Sequence, residues 1–394
     1  KGLPALFQPI DLTEGPCWKT ILRFSFPIIL SYLLQQVYSI SDAAIVGQTL
    51  SGEQVAGVND IAPIVNIFLQ FAFGVSAGFC VITSCNVGSH NQPGVRRSLA
   101  TQIVLSAVLT LLLTALALAL LNPMLAWINV TPDSGAVYTA AFTYCAIIFA
   151  GIGAQLFYNF ICSFLRAMGD SVTPLMFLLF STVLNVGLDL LFILSFGWGV
   201  AGASAATAIS KLVSWCILMT PYFRKKTLLT IRFRQFRPRW SDAKEVCAMG
   251  SASFFRNGLG TLAGILLNRI AVGYGTSALA AINVANRITM FMTSACLGFG
   301  QGFQPVAGFS WGAKRFDRVR ESFRFSMIAC VAGISAVALI VGIFARPILL
   351  LFTEDDAELV RIGVFSLPIQ CLAMPFHGFG IIVNMLCSGI GRAL

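Results

Sequence analysis

The sequence predicts an all-α polytopic membrane protein made of two homologous helical bundles, related by a pseudo-two-fold axis along the membrane normal. Three observations predict it. Only 11% of the 394 residues are charged and 57% are apolar, whereas a soluble domain carries about a quarter charged residues. Mean hydropathy is +0.82, and apolar stretches of the ~20 residues that cross a bilayer core recur along the chain. The third is an internal repeat: residues near position 50 return 224 positions later.

At that offset Val55-Ala56-Gly57-Val58-Asn59 comes back as Leu279-Ala280-Ala281-Ile282-Asn283. Gly88 meets Gly312, Arg96 meets Arg320, Ser98 meets Ser322 and Pro123 meets Pro347. After a two-residue slip, Thr131 meets Thr353 and Gly169 meets Gly391. A duplicated bundle of membrane helices is the plan of many secondary transporters, in which substrate crosses between two rocking halves.

Ten spanning segments follow from the apolar runs: 18–46, 54–84, 95–126, 136–163, 172–195, 199–223, 243–271, 277–309, 320–345 and 357–388. Several exceed a minimal span, which allows tilt or extension into the aqueous layer. The first six make an N-terminal lobe over 1–223. A basic linker, 224–242, carries Arg224-Lys225-Lys226 through Arg237-Pro238-Arg239, with a proline that opposes helix. A second lobe over 243–394 then repeats the first four spans. An even number of helices in each half makes the repeats parallel. By that symmetry the second lobe holds four of an expected six helices, so the sequence is expected to be C-terminally truncated.

The charge of +10 lies in short segments between apolar runs: Arg96 and Arg97, the stretch Arg224 to Lys244, and Lys314 to Arg324. Alternate connections are bare or acidic, with Glu53, Asp133 and the cluster Glu354, Asp355, Asp356 and Glu358. This is the positive-inside pattern, which makes the basic loops and the N-terminus cytoplasmic. Attraction to anionic headgroups accounts for the charge without a nucleic-acid partner. Eleven cysteines are scattered through apolar segments with no CxxC pair, and read as small packing residues. There is no HExxH or P-loop, and only two histidines, His90 and His377. Neither an enzyme, a metal site nor an ATP-driven pump is indicated.

Acidic groups inside apolar helices are the sharpest chemical signals, since burying a carboxylate costs several kcal/mol unless it is partnered, wet or protonated. Asp42 stands late in the first span and Asp189 in the fifth. Asn185, four residues before Asp189, shares its helical face. Two acids facing one cavity repel when both are charged, which makes them candidate proton carriers. Pro27, fifteen residues before Asp42, removes a backbone hydrogen bond and offers a bend point. Arg256 and Asn257 stand early in the seventh span, where snorkelling to the membrane edge is the cheaper solution for the arginine. Lys211 in the sixth span poses the same question. His377, inside the tenth, titrates near neutral pH, although a lone histidine reads first as a packing residue. Gln36 and Asn159 complete the candidate cavity residues. Phenylalanine is abundant, with 33 residues including Phe68, Phe157 and Phe180. Its rings suit organic cations but equally suit lipid-facing surfaces.

In their order and spacing these pieces resemble the MATE family, the multidrug and toxic compound extrusion transporters. The resemblance rests on Pro27 with Asp42-x-x-x-x-Gly47, on Leu165-Arg166-Ala167-Met168-Gly169-Asp170-Ser171-x-Thr173-Pro174, and on Leu184-Asn185-x-x-Leu188-Asp189. The Gly169 turn recurs as Ser388-Gly389-Ile390-Gly391-Arg392. The resemblance implies twelve helices in two six-helix lobes and export of mostly cationic, amphipathic drugs against proton or sodium entry. It also implies that Asp42, Asp189 and Asn185 line an N-lobe cavity and that protonation bends the first helix at Pro27. Two departures matter. Leu190 follows Asp189 where the family commonly has proline. Beyond Glu245 at its very start, the seventh span has no acid, and neither has the inner part of the tenth, Phe365 to Met385, so a sodium site in the C-lobe is not expected.

The reading that results is a multi-pass antiporter of the cytoplasmic (inner) membrane. It exports organic cations by alternating access, takes H+ or Na+ as coupling ion, needs no cofactor, and works as a monomer. Two alternatives stand beside it: a flippase for a lipid-linked saccharide or polymer, which would want Lys211 and Arg256 turned into a cationic cavity, and a non-transporting membrane fragment.

Overall fold

The computed structural model describes residues 10–223, 259–260, 262–264, 266–271, 273–350 and 357–391, with single positions 244, 248 and 251. The linker 224–242, Arg256, Asn257 and the acids 354–356 lie outside the described residues. The helices, in order, are α1 (Cys17–Thr49), α2 (Gly52–Gly88), α3 (Gln92–Ala119), α4 (Leu121–Trp127), α5 (Ala136–Ala150), α6 (Ile152–Ala167), α7 (Val172–Leu190) and α8 (Gly199–Phe223). They are followed by α9 (Thr276–Gly312), α10 (Phe316–Ile343), α11 (Ala345–Leu350) and α12 (Ala357–Gly389). Among the described residues seven helices are long and apolar enough to cross a bilayer, and α5 with α6 makes an eighth, bent span. Their outer faces carry large apolar side chains such as Leu111, Val183, Ile328, Leu372 and Phe376. In water that exposure would be unfavourable; in lipid it is the matching surface.

The sequence repeat is also a repeat of helix ends. α2 and α9 start and stop at the 224-residue offset, and so do α3 and α10. The turns between them match as well: His90 and Lys314 both take positive φ (52° and 58°). Two of the expected spans are divided. The stretch 95–126 ends as α3 at Ala119 and restarts as the short α4, and 320–345 ends at Ile343 and restarts as α11. In each case the restart carries a proline, Pro123 or Pro347, in its first turn, where the missing N–H costs no helical hydrogen bond. The span 136–163 is also broken, at Gly151, with a 44° bend between α5 and α6. There the glycine faces the Ala208 methyl of α8, which would come within 2.7 Å of any Cβ. Its repeat mate, α12, runs unbroken through Pro368 and Pro375.

α9 is the central element. Every residue from Gly298 to Ser310 is buried, and the helix packs on α1, α2, α10 and α12. Surrounded by protein, it tolerates Gln301, Gln304 and Ser310, and it is too polar to count among the apolar spans above. Two glycine contacts set its crossings. At one end of the bundle α2 and α9 cross reciprocally: a Cβ on Gly88 would overlap the Phe309 carbonyl, and a Cβ on Gly312 would overlap the Cys85 carbonyl. Those two pairs are the same contact read from either half. Against α1, Gly298 faces the Ile29 backbone and Gly302 the Ser25 backbone. α1 thus places Cys17, Ile21, Phe24, Ile28 and Tyr32 in one apolar core with α9, α10 and α12.

At the same end as the α2–α9 crossing, the segment before α1 forms a strap. Ile10 N–H donates to the Gly169 carbonyl at 3.1 Å. From the start of α10, Arg315 donates to the Thr13 carbonyl at 2.8 Å, and Arg318 donates to the carbonyls of Gly15, Glu14 and Leu12 at 2.7, 2.9 and 3.1 Å. The strap therefore ties the turn after α6 to the turn before α10. The ten described cysteines are free thiols, most of them buried.

Candidate functional site

Three helices bring polar groups together inside the N-terminal bundle, each through a pair spaced one turn apart. α1 contributes Tyr38 and Asp42, α7 contributes Asn185 and Asp189, and α8 contributes Thr207 and Lys211. Residues at i and i+4 share a helical face, so each pair points the same way. α1 packs on α7 and α7 on α8, which turns the three faces toward one another. Tyr144 of α5 lies close enough to act electrostatically with both acids.

Asp189 and Asn185 are each 1% exposed, and Asp42 is half-buried. The Asp42 and Asp189 carboxyl groups meet within hydrogen-bond reach. Carboxylates only accept, so that contact is a hydrogen bond when one of the two carries a proton and a repulsion when neither does. Each carboxyl also has a buried Oδ1 with no hydrogen-bond partner. Asn185 organises the rest. In the amide orientation that pairs its polar atoms, its NH2 donates to the Tyr38 hydroxyl and to Asp189 Oδ2, both at 3.1 Å. Its oxygen accepts the Thr207 N–H at 3.2 Å. Immediately after Asp189, α7 widens into a π turn at Leu191–Ser195, a deviation that often marks functional positions in helices.

Of the residues singled out in the sequence, Asp42, Asp189 and Asn185 converge here. Pro27 lies in α1, which continues as helix on both sides of it. Ser31 Oγ donates to the Pro27 carbonyl at 2.8 Å. Pro27 also falls between Ser25 and Ile29, the two points where α9 presses on α1. Lys211 does not reach the membrane edge. It is 8% exposed, with Nζ 4.6 Å from the centroid of the Tyr158 ring and 6.0 Å from that of Tyr38. Asn159 lines a polar recess beside this cluster, together with Gln35. Gln36 is not among its lining residues, because it stands about 100° further round α1.

His377 departs from its expected packing role. Gly378 turns inward against Ile334 and Cys330, which leaves its neighbour on the exposed face of α12. The singled-out phenylalanines serve packing: Phe68 meets Phe149 and Phe157 meets Trp215, with centroids 4.9 and 5.3 Å apart, and Phe180 is exposed on the outside. Sequence reasoning missed Tyr38, Tyr144, Thr207 and Arg166. For Tyr38 and Thr207 a signal was present, since each stands four residues before a residue already noted.

Comparisons with known proteins place the whole chain in a family. The family model for MatE matches residues 27–191 and 252–394, most of the chain. The probable multidrug resistance protein YpnP of Bacillus subtilis is 27% identical over 384 residues, covering 97% of this chain and 84% of YpnP. The multidrug export protein MepA of Staphylococcus haemolyticus is 21% identical over 381 residues, covering 96% and 83%. A solved structure of a multidrug resistance MATE family transporter in its outward-facing conformation superposes with a TM-score of 0.90. It is 24% identical, with 98% of this chain and 85% of that one covered. The chain belongs to the MATE family, and is accordingly a membrane transporter and not an enzyme.

Proposed function

We propose that this chain is an antiporter of the cytoplasmic membrane that exports cationic or amphipathic organic compounds in exchange for protons, with sodium as the alternative coupling ion. The observation that carries the reading is the meeting of Asp42 and Asp189 inside the bundle. One proton joins the two carboxyls, and its loss leaves two negative charges in contact. α1 carries this change outward, because it touches α7 at the acids and α9 at Ser25 and Ile29. Pro27 stands at the latter contact, where a missing backbone hydrogen bond lowers the cost of bending. Protonation at Asp42 thereby alters how α1 lies against the second half.

The basic turns support a cytoplasmic position for the α2–α9 crossing and the strap, together with the N-terminus. The conformation with that crossing packed and the strap tied is then closed toward the cytoplasm. Alternating access needs the two lobes, 1–223 and 243–394, to separate there. The protein acts as a monomer. Names of relatives such as YpnP and MepA, which refer to multidrug resistance and export, support the substrate class.

The test is ethidium efflux from proteoliposomes under an imposed pH gradient, and separately under a sodium gradient. Efflux under the pH gradient alone is expected, with complete loss in Asp42→Asn despite normal membrane insertion. Normal gradient-driven efflux by that variant removes Asp42 from coupling, and a strict sodium requirement recasts the acids as sodium ligands. A second reading, a flippase for a lipid-linked saccharide or polymer, gains from Lys211, which points into the bundle. Absence of ethidium efflux under both gradients would favour it.

A further inference from the structure

We infer that the recess between α1, α6 and α7 is a binding site for an anionic group, a phosphate or carboxylate on an amphiphile, held by Arg166. The site is separate from the acid cluster. Arg166 closes the last turn of α6 and lines the recess with Gln35, Tyr32, Tyr158, Asn159 and Ser163. Its Nε is buried with no hydrogen-bond partner, and it forms no ion pair among the described residues. No acidic side chain lines the recess.

A second cation stands on the other side of the same tyrosine. Lys211 Nζ lies 4.6 Å from the Tyr158 ring centroid, and Arg166 and Lys211 both act on the thiol of Cys162 between them. Lys211 also lacks an ion-pair partner among the described residues. Arg166, half-buried in a recess with no acidic lining, leaves a field that an anion neutralises, and Lys211 nearby adds to it. The lining groups suit that ligand: the guanidinium offers a planar fork of donors for two oxygens, and the serine, asparagine and tyrosine side chains can donate as well. The internal repeat argues against a merely structural arginine. At the equivalent place in the second half the helix ends on Ser388, and α12 closes there without a cation.

The anion has two possible sources, a phospholipid headgroup entering from the bilayer or a free solute with an acidic group. Purified protein in neutral detergent, titrated and followed by thermal stability, tests the site and separates the sources. The probes are octyl phosphate, octanoate, octyltrimethylammonium, dioctanoyl phosphatidylglycerol and dioctanoyl phosphatidylcholine. Octyl phosphate or octanoate should stabilise the protein and the ammonium compound should not. Arg166→Gln should weaken that binding by about tenfold or more, the value of a charge-assisted hydrogen bond. Arg166→Lys should restore part of it. Asn159→Leu, which fills the recess and keeps the charge, should weaken binding too, so the proposal stays testable if the arginine variant folds poorly. Replacing the exposed Arg361 with Gln should change nothing. Stabilisation by phosphatidylglycerol but not phosphatidylcholine assigns the site to a lipid headgroup, and stabilisation by the single-chain anions alone assigns it to a solute. Anion binding that is unchanged in both Arg166→Gln and Asn159→Leu, or no anion binding at all, overturns the inference. Neither result bears on Asp42, whose coupling is read separately by efflux.

Discussion

Gly88→Ala tests how the two halves are sealed together. In the structure the new methyl would overlap the Phe309 carbonyl, and what stands in the way is helix backbone, which cannot swing aside as a flexible side chain would. Overpacking of this kind costs about 1–3 kcal/mol. Alanine also favours helix over glycine by about 0.5–1 kcal/mol, but α2 is helical whether or not the crossing is packed, so that gain cancels between conformations. The whole penalty therefore falls on the conformation with α2 and α9 in contact, which shifts the equilibrium toward separation by roughly 5–150-fold. A natural reporter sits at the crossing. Cys85 lies beneath Gly312, and its thiol faces the Gly389 carbonyl at 3.8 Å. A membrane-impermeant maleimide, with the modified cysteine identified by peptide mass spectrometry, should label Cys85 faster in Gly88→Ala by a factor in that range. Gly312→Ala should behave alike, because it makes the same contact from the other half. Gly380→Ala, where a Cβ meets nothing within 4 Å, should leave the rate unchanged. Wild-type labelling rates in both crossing variants, with both proteins monodisperse, would refute the idea that this contact is the seal.

Two further predictions follow the same logic. Asn185→Leu removes the amide that joins Tyr38, Asp189 and Thr207, and stranding a buried polar group costs about 1–3 kcal/mol. A lower melting temperature together with slower ethidium efflux is expected, and an unchanged melting curve would show that the amide does not hold the cluster. Arg318→Ala deletes three guanidinium bonds to the strap carbonyls. Amide hydrogen exchange over residues 12–15 should then accelerate by at least about tenfold, the equivalent of ~1.4 kcal/mol, and equal exchange in the variant would mean that the strap is held by other contacts.

Some of this architecture is written in the chain and some is not. The membrane class, the duplication and the recurrence of helix ends in the two halves depend on local properties: apolar length, turn residues and a repeated spacing. They survive in the sequence because each is decided by neighbours along the chain. So the 224-residue offset that aligns Gly88 with Gly312 also aligns the ends of α2 with those of α9. The acid pair was legible for a similar reason, since a carboxylate inside an apolar run is conspicuous wherever the helix ends up.

What the sequence could not decide is how each helix is rotated about its axis and what it then meets. Gly151 breaks a span because α8 presses on it, whereas its mate in α12 has no such break. Lys211 turns inward to Tyr158 although snorkelling was the cheaper solution to expect from the sequence. Gln35 lines the recess while Gln36 does not, and His377 is outside because Gly378 is inside. Arg166 belonged to a recognisable run of residues, yet its recess exists only where α1, α6 and α7 meet. A step of one residue turns a side chain by about 100°, so contacts between helices depend on crossing angles and packing that only the folded bundle sets.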